Sequence, residues 1–329
     1  MLSYLIRFRV DLALLVVAAS WGSTYLVAKE LVSPNTVVAL LAVRMLLAAA
    51  IMFVIVAARQ RRVNRIELRV GVVLGVMLAA VFALETFGIA HTSATNAGVI
   101  ISLTIVFTPM LDSVVSARRL SRQFLLAAAT AVVGVAFLAS NGDLRPPSFG
   151  DVLVLGAAVM RAVHITAMDK LTTGKTVDSL TLTTVQLGTC AVLFTATSMF
   201  YGAALPDYLA QLDAGQIFLF CYLVISCTVF AFFIQMWAVR RTSPSRVSLL
   251  LGTEPVWAVV VGIAIAHDAF GIIGYFGIAL ILTGTAVGRA VEQNGGRVQL
   301  VREAEDEVDD AGPTLLNYSP LDHRGPSPD

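Results

Sequence analysis

Apolar residues fall into ten long runs that make up most of the chain, and short polar connections separate them. An α-helix needs about 20 consecutive apolar residues to cross the hydrocarbon core of a bilayer, and each run approaches that length. The period-2 alternation typical of a membrane β-barrel is absent. The pattern predicts an all-α membrane protein with ten transmembrane helices. These predicted helices, spans 1 to 10, cover residues 11–32, 36–58, 70–90, 94–117, 123–140, 150–169, 179–201, 215–238, 245–266 and 270–289.

Lysine and arginine residues concentrate in every second connection. They precede span 1 and lie between spans 2 and 3, 4 and 5, 6 and 7, and 8 and 9. The alternate connections hold only Lys29, at the end of span 1, and Arg145, between spans 5 and 6. Basic residues near helix ends favour the cytoplasmic side. The asymmetry predicts a multi-pass protein of the cell (inner) membrane whose N- and C-termini both lie in the cytoplasm.

One motif occurs twice, 150 residues apart. Residues 91–112 and 241–257 each contain Thr-Ser near their start and continue as an apolar run that includes a proline. Glu85 lies eight residues before the serine of the first copy, and Gln235 lies eight residues before the serine of the second. Self-similarity at half the chain length indicates a duplication. Each half holds five spans, and because five is odd we expect the halves to form an inverted repeat.

The duplication and a change of composition divide the chain into three parts. We expect a first five-helix repeat in residues 1–145 and a second in residues 146–290. Residues 291–329 contain nine acidic and three basic side chains, which predicts a disordered acidic cytoplasmic tail. The first apolar run continues to Ala28, too long for the core of a cleaved signal peptide, so we expect it to remain as span 1.

Composition excludes several classes of protein. The chain is 57% hydrophobic and 14% charged, whereas soluble domains carry about 25% charged residues. Its three cysteines, Cys190, Cys221 and Cys227, lie in apolar runs without metal-ligand spacing. No nucleophile–base constellation, phosphate loop or catalytic domain is apparent. We therefore expect no enzyme, no cofactor and no nucleic-acid partner.

Four stretches resemble one family of membrane transporters. WGSTYLVAK at 21–29 is similar to its first-helix motif, HTSATNAGVI at 91–100 to a motif of one large branch, and GDVLVLGAAVMRAVHI at 150–165 to the start of its second repeat. The stretch from FIQMWAVRRTSPSRVSLL through TEPVWAVVVGIAIA is similar to a later part of the second half. On these motifs the chain resembles the drug/metabolite transporter superfamily, EamA-type, over residues 11–290.

The resemblance implies a central cavity lined by spans 1, 3, 4, 6, 8 and 9, and transport by alternating access. Three positions depart from the family pattern. Arg161 stands where tryptophan is common, Glu85 stands where the branch commonly has glutamine, and residues 266–268 (AHD) replace a Gly-Glu pair that often closes span 9. Two ionisable groups are thereby added to the membrane interior, and the resemblance does not indicate the substrate.

Ionisable side chains inside the predicted spans are the first candidates for substrate binding or ion coupling. Each costs about 2.5–3.5 kcal/mol on membrane-insertion scales, so we expect it to face a partner or a water-filled cavity. Arg161 and His164 are three residues apart and share a helix face. Arg161 stays charged and needs an anion, either Glu85, Glu254 or the carboxylate or phosphate of a substrate. His164 either relays protons or packs through a hydrogen bond.

The two glutamates and a second arginine leave more than one role open. Glu85 serves either coupling and substrate binding or a structural pair. Glu254 precedes Pro255, whose missing N–H favours a kink, so Glu254 contributes either to gating or to direct ligand contact. Arg44 is expected to be mainly structural.

Uncharged side chains supply further candidates. Trp21 and Trp257 suit amines and apolar groups through their aromatic faces, with ordinary packing as the alternative. Thr24 and Gln235 are polar residues in spans 1 and 8. Asn96 lies near the start of span 4, where helix capping is a competing role.

These features favour a secondary active transporter that exports a small metabolite, such as an amino acid or a related compound, with protons as the candidate coupling ion. A multidrug exporter of lipophilic cations is a first alternative, although the fixed charge of Arg161 repels cations. A flippase for a lipid carrier is a second. The expected partners are the small-molecule substrate and the lipid bilayer.

Overall fold

The structure is a computed structural model that describes residues 2–92, 94–115, 120–139, 148–261, 271–284, 286–288 and 290–291. The side chains of residues 2–7, 29, 94–96, 99, 135, 138–139 and 258–259 are outside this description. Met1–Arg289 form one compact unit. The predicted tail belongs to a second unit, Ala290–Asp329, and falls almost wholly outside the described residues.

Every element in the described ranges is helical, and none of these residues forms a strand, which confirms the all-α class. Six helices are long and apolar enough to cross a bilayer; the number ten stays a prediction. The helices are α1 (Leu2–Leu31), α2 (Val37–Ala58), α3 (Arg65–His91), α4 (Ala94–Ile101), α5 (Thr104–Val115), α6 (Arg122–Ala139), α7 (Phe149–Thr172), α8 (Ser179–Ser198), α9 (Leu205–Ala210), α10 (Ala214–Val224), α11 (Ala231–Val239), α12 (Pro244–Leu251), α13 (Glu254–Val261) and α14 (residues 272–284).

Large apolar side chains cover much of the outer surface. Phe53, Phe218 and Ile272 are 66%, 72% and 89% exposed. Contiguous apolar surface of this kind is rare on soluble monomers. Together with the six long apolar helices it identifies a multi-pass membrane protein whose outer surface contacts lipid.

Predicted spans 4 and 9 are each broken into two helices. Two residues separate α4 from α5, and two separate α12 from α13, so the breaks lie at the same 150-residue offset as the repeated motif. At each break a threonine hydroxyl donates a hydrogen bond to a backbone carbonyl that the interrupted helix leaves without its usual N–H donor. Thr104 Oγ1 donates to Ile101 O at 2.6 Å, and Thr253 Oγ1 donates to Leu250 O at 2.8 Å. Backbone inside a membrane must find such partners.

The break in span 9 lies just before the predicted kink. Pro255 is the second residue of α13, where its missing N–H leaves no helical bond unmade. Glu254 is therefore the first residue of a helix, at the end where the helix dipole stabilises negative charge. The local chemistry of Gly252-Thr253 and Pro255 thus places a carboxylate at a helix start inside the protein.

The first half packs tightly on the second along α3 and α8. A Cβ atom added to Gly71 would lie 2.6 Å from Val185 Cβ, and one added to Gly75 would lie 2.6 Å from Thr189 Cβ. Real Cβ atoms do not approach so closely, so glycine is required at both positions. Small residues that let helix backbones meet are a common means of association in membranes.

Candidate functional site

A small cavity lined by both charged and apolar side chains lies between α1, α2, α3, α7, α11 and the start of α13. It offers about 40 Å³ to the centre of a water molecule. One water needs about 10–15 Å³ on that measure, so the cavity has room for a few waters. Seven of the nine predicted site residues line it: Trp21, Thr24, Glu85, Arg161, His164, Gln235 and Glu254.

Arg161 is one of two arginines that line this cavity, with Arg44. It is 8% exposed, and its Nη2 donates to Glu254 Oε2 at 3.4 Å. Its guanidinium carbon lies 4.2 Å from the ring centroid of Trp21, a cation–π distance. Of the two anions expected for Arg161, Glu254 is therefore the one in direct contact. The contact is one long hydrogen bond rather than the two-pronged pairing that arginine forms with a well-placed carboxylate.

Glu254 is held on its other side by Tyr25. Tyr25 Oη donates to Glu254 Oε1 at 2.7 Å, and Tyr25 is itself buried. Sequence reasoning did not single out Tyr25. A signal existed, because Tyr25 lies four residues after Trp21 in α1, and residues at that spacing share a helix face.

Glu85 is the second carboxylate of the cavity and differs from the first. It is half-buried on α3, and the charges of Arg161 and Arg44 act on it. Within the described part of the chain, however, no hydrogen bond or ion pair joins its carboxylate to another side chain. Both oxygens therefore remain available to whatever occupies the cavity.

Gln235 supplies another acceptor. The residue is 1% exposed and lines the cavity from α11. Its Oε1 is buried without a hydrogen-bond partner among the described residues. A buried carbonyl without a hydrogen-bond donor destabilises the folded protein by about 1–3 kcal/mol. Functional sites tolerate such a group when a ligand supplies the missing donor.

His164 and Arg44 are held by neighbours in the second half. His164 Nε2 lies 2.8 Å from Gln186 Oε1, so His164 has the hydrogen bond expected of a packed histidine while it also lines the cavity. Arg44 Nε donates to Thr228 Oγ1 at 2.7 Å, and its guanidinium carbon lies 4.8 Å from the Phe82 centroid.

Thr228 belongs to a segment that the apolar pattern did not predict. Ile225–Phe230 forms a π-helical turn inside predicted span 8, and Thr228 Oγ1 also donates to Leu223 O at 2.8 Å. Such turns often occur at functional sites. Here the turn places a hydroxyl where Arg44 reaches it, so Arg44 joins the cavity wall to the second half.

The remaining aromatic and hydroxyl candidates have local partners. Trp21 Nε1 donates to Cys227 O at 2.9 Å, which fixes the indole beneath Arg161. Thr24 Oγ1 donates to Ser20 O at 3.2 Å within α1. Trp21 is thus both packed and cavity-lining, whereas the Thr24 hydroxyl is engaged by its own helix.

Trp257 lies apart from the other predicted site residues. It borders a separate apolar groove between α1, α10 and α13, with Val16 and Phe218 among its neighbours. Glu254, the first residue of α13, lines the cavity, whereas Trp257 of the same helix lines the groove. The side chain of Asn96 is outside the described residues, as are Ser93 and residues 266–268.

Comparison with known proteins agrees with this architecture. A model of the EamA-like transporter family matches residues 8–140 and 148–288. An uncharacterized transporter of Archaeoglobus fulgidus is 24% identical over 284 residues, covering 84% of this chain and 84% of that protein. Another uncharacterized transporter of the same organism is 25% identical over 186 residues, covering 54% of this chain and 61% of that protein. A crystal structure with 16% sequence identity superposes with a TM-score of 0.70, covering 87% of this chain and 98% of its own, which shows a shared fold.

Proposed function

The chain belongs to the EamA-like transporter family, and from this premise we propose that it is a secondary active transporter that exports a small metabolite, such as an amino acid or a related compound. The observation that carries the proposal is the loosely paired, buried Arg161 in this cavity. A permanent cation at membrane depth is costly. Its only direct carboxylate contact among the described residues is one 3.4 Å hydrogen bond to Glu254, so it retains donors for an anionic substrate group.

Alternating access is the mechanism that suits this architecture. We propose ten membrane spans in two inverted repeats, residues 1–145 and 146–290, with both termini cytoplasmic. The helix breaks 150 residues apart support the repeat. The small cavity supports an occluded state, since a metabolite enters only after helices move apart. Discontinuous helices at the interface of two repeats are a recurring means of building transporter sites.

Charge and size favour a small polar substrate over the alternatives. The Arg161 guanidinium opposes a lipophilic cation. A cavity this small, lined by four ionisable carboxylate or guanidinium side chains, Arg44, Glu85, Arg161 and Glu254, is poorly suited to a lipid tail. Protons are the proposed coupling ion, with Glu85 as the carrier, because protonating Glu85 breaks no ion pair among the described side chains.

The test combines metabolite profiling with reconstituted transport. Cells with and without the protein identify the exported compound, and purified protein in proteoliposomes is then assayed for transport of that compound with and without an imposed pH gradient. Arg161→Gln should abolish transport, while Arg62→Gln, a change at an exposed arginine, should not. Normal transport by the charge-neutral double variant Arg161→Gln/Glu254→Gln would show that this pair has no part in the mechanism. A transport rate that is the same with and without a pH gradient would contradict proton coupling.

A further inference from the structure

One face of α3 is exposed over about its first three turns. Five side chains at spacings of three and four residues share this face: Arg65, Arg69, Val72, Val73 and Val76. The three valines are 40%, 46% and 50% exposed, and both arginines are exposed as well. We name these five residues the α3 stripe. It is about 16 Å long, close to half the hydrocarbon thickness of a bilayer.

The two arginines of the α3 stripe have no carboxylate partner among the described residues. The acid that lies between them in sequence, Glu67, is 3% exposed and belongs to the buried side of α3. Its carboxylate accepts the backbone N–H groups of Asn64 and Asp178, both at 2.9 Å. Glu67 is therefore engaged by backbone donors, and the positive charge of the stripe is not neutralised within the described part of the chain.

Neither helix stability nor the duplication accounts for these two arginines. Cations near a helix start oppose the helix dipole, and like charges four residues apart repel each other. At the 150-residue offset of the repeated motif, Gly215 and Leu219 of α10 stand in their place. Orientation in the membrane calls for basic residues near helix ends, but it does not call for their alignment with exposed valines on one helix face.

An anionic phospholipid has the chemistry that fits the α3 stripe. Arg65 is the first residue of α3, so the arginines lie at the end of a long apolar helix and the valines lie deeper along it. Arginine binds phosphate through paired N–H···O bonds, and basic residues beside a membrane span attract anionic lipids. We propose that the two arginines bind the phosphate of an anionic phospholipid and that the three valines contact its acyl chain.

This lipid site should stabilise the protein, because α3 is the helix that packs closely on α8 of the second half. Close contacts with α8 begin at Gly71, within the residues that the stripe spans. A lipid bound along the opposite, exposed face of the same turns favours the helical, packed state of α3. The site is separate from the cavity and does not depend on which substrate the protein carries.

The first test measures lipid binding by the purified full-length protein. Delipidated protein in a neutral detergent receives phosphatidylglycerol, phosphatidylcholine or glycerol 3-phosphate, and Tm and the mass of the intact complex are followed. Phosphatidylglycerol should raise Tm, since a ligand that binds the native state stabilises it, and one molecule should remain bound. Phosphatidylcholine, which has no net charge, and glycerol 3-phosphate, which has no acyl chain, should have much smaller effects. Equal stabilisation by either one overturns the proposal.

Two double variants that lose the same charge then separate a site from diffuse attraction. Arg65→Gln/Arg69→Gln should weaken phosphatidylglycerol binding by roughly 30-fold. Arg59→Gln/Arg62→Gln, at exposed positions of the preceding connection, is the matched control and should weaken it by roughly threefold or less. Equal weakening by both variants shows attraction to overall charge and overturns the site.

Folding and other occupants are covered by the same measurements. The unliganded Tm reports folding, and if the glutamine variant does not fold, Arg65→Lys/Arg69→Lys keeps the charge but loses the paired geometry. That variant should bind phosphatidylglycerol more weakly than the wild type, and unchanged binding contradicts the proposal. A second copy of the chain on the stripe would give the mass of a dimer without retained lipid, which also overturns it.

Discussion

Asp11 and Arg246 form a two-pronged ion pair inside the protein. Arg246 Nε donates to Asp11 Oδ1 at 3.0 Å, and Arg246 Nη2 donates to Asp11 Oδ2 at 2.8 Å. The residues are 3% and 5% exposed. The pair joins α1 of the first half to α12 of the second, and its geometry is that of the strongest arginine–carboxylate contacts.

An acid at the corresponding position of the other half contacts the first copy of the repeated motif. Asp151 lies 140 residues after Asp11, the offset that also relates Trp21 to Arg161. The hydroxyl of Thr92 donates to Asp151, and Thr92 begins the first copy of the repeated motif. Each of the two acids therefore contacts a residue of one copy of the motif, Asp11 through Arg246 and Asp151 through Thr92.

The Asp11–Arg246 ion pair and the Thr92–Asp151 hydrogen bond lie at opposite ends of α3. Glu67, in the first turn of α3, accepts from the backbone N–H of Asp178 at 2.9 Å, and neighbouring Ser179 accepts from Arg240 at 2.9 Å. The chain just before Arg246 therefore lies where α3 begins. Thr92 lies where α3 ends, and a helix of 27 residues is about 40 Å long.

The buried pair should dominate the stability of the end where α3 begins. Asp11→Asn leaves Arg246 buried with no matching charge among the described residues, and removing one partner of such a pair typically costs about 3–5 kcal/mol. We expect a clear fall in Tm in detergent, with most of it recovered in Asp11→Leu/Arg246→Met because that variant buries no charge. Asp207→Asn, at an exposed acid, is the control. An unchanged Tm in Asp11→Asn would show that the pair contributes nothing.

Glycine at position 75 should be required for the contact between α3 and α8. The Cβ of Gly75→Ala would lie 2.6 Å from Thr189 Cβ and 2.9 Å from Gln186 O, so the helices must separate, and overpacking costs about 1–3 kcal/mol. Gly188→Ala is the matched control, because an added Cβ there meets nothing within 4 Å. Thermal unfolding should show a loss for the first variant only; equal Tm values would contradict the close packing.

The hydroxyl of Tyr25 should affect substrate affinity more than folding. Tyr25→Phe keeps the ring but removes the donor to Glu254, so Glu254 competes more strongly with substrate for Arg161. Loss of a charge-assisted hydrogen bond of about 1.5–3 kcal/mol predicts a roughly tenfold or larger rise in KM. Tyr222→Phe, whose hydroxyl contacts Ser23 at 2.7 Å, is the control for loss of a tyrosine hydroxyl. An unchanged KM in Tyr25→Phe would show that the Tyr25 hydroxyl does not contribute to substrate binding.

Trp21 and Trp257 should differ in their effect on transport. Trp21→Ala removes the aromatic face beneath Arg161, and a desolvated cation–π contact of about 2 kcal/mol predicts a loss of transport of roughly tenfold or more. Trp257→Ala changes only the separate groove and should leave transport within about twofold, a difference under about 0.5 kcal/mol. Initial rates in proteoliposomes at equal protein content provide the comparison. Equal losses would mean that Trp257 reaches the cavity in another state of the transport cycle.

Much of the site was predictable because ionisable residues inside apolar runs are rare and expensive. That reasoning identified Arg161, Glu85 and Glu254, and the structure brings all three to one cavity. It did not find Asp11 or Tyr25. Asp11 opens span 1 and resembles an ordinary residue at a helix end, and Tyr25 could have been found only from its position one turn after Trp21 on the same helix face. Arg246, the second residue of predicted span 9, was also not singled out, although it is buried in an ion pair.

The sequence by itself determined the class of the protein and the residues that must find partners. Apolar runs long enough to cross a bilayer require helices, because lipid offers backbone groups no other partner, and the duplication was visible at its 150-residue offset. Only the tertiary structure decided which partners meet. Glu254 rather than Glu85 contacts Arg161 because the break before α13 places Glu254 at a helix start inside the cavity. Such pairing depends on where distant helices cross, and helix periodicity carries no information about that.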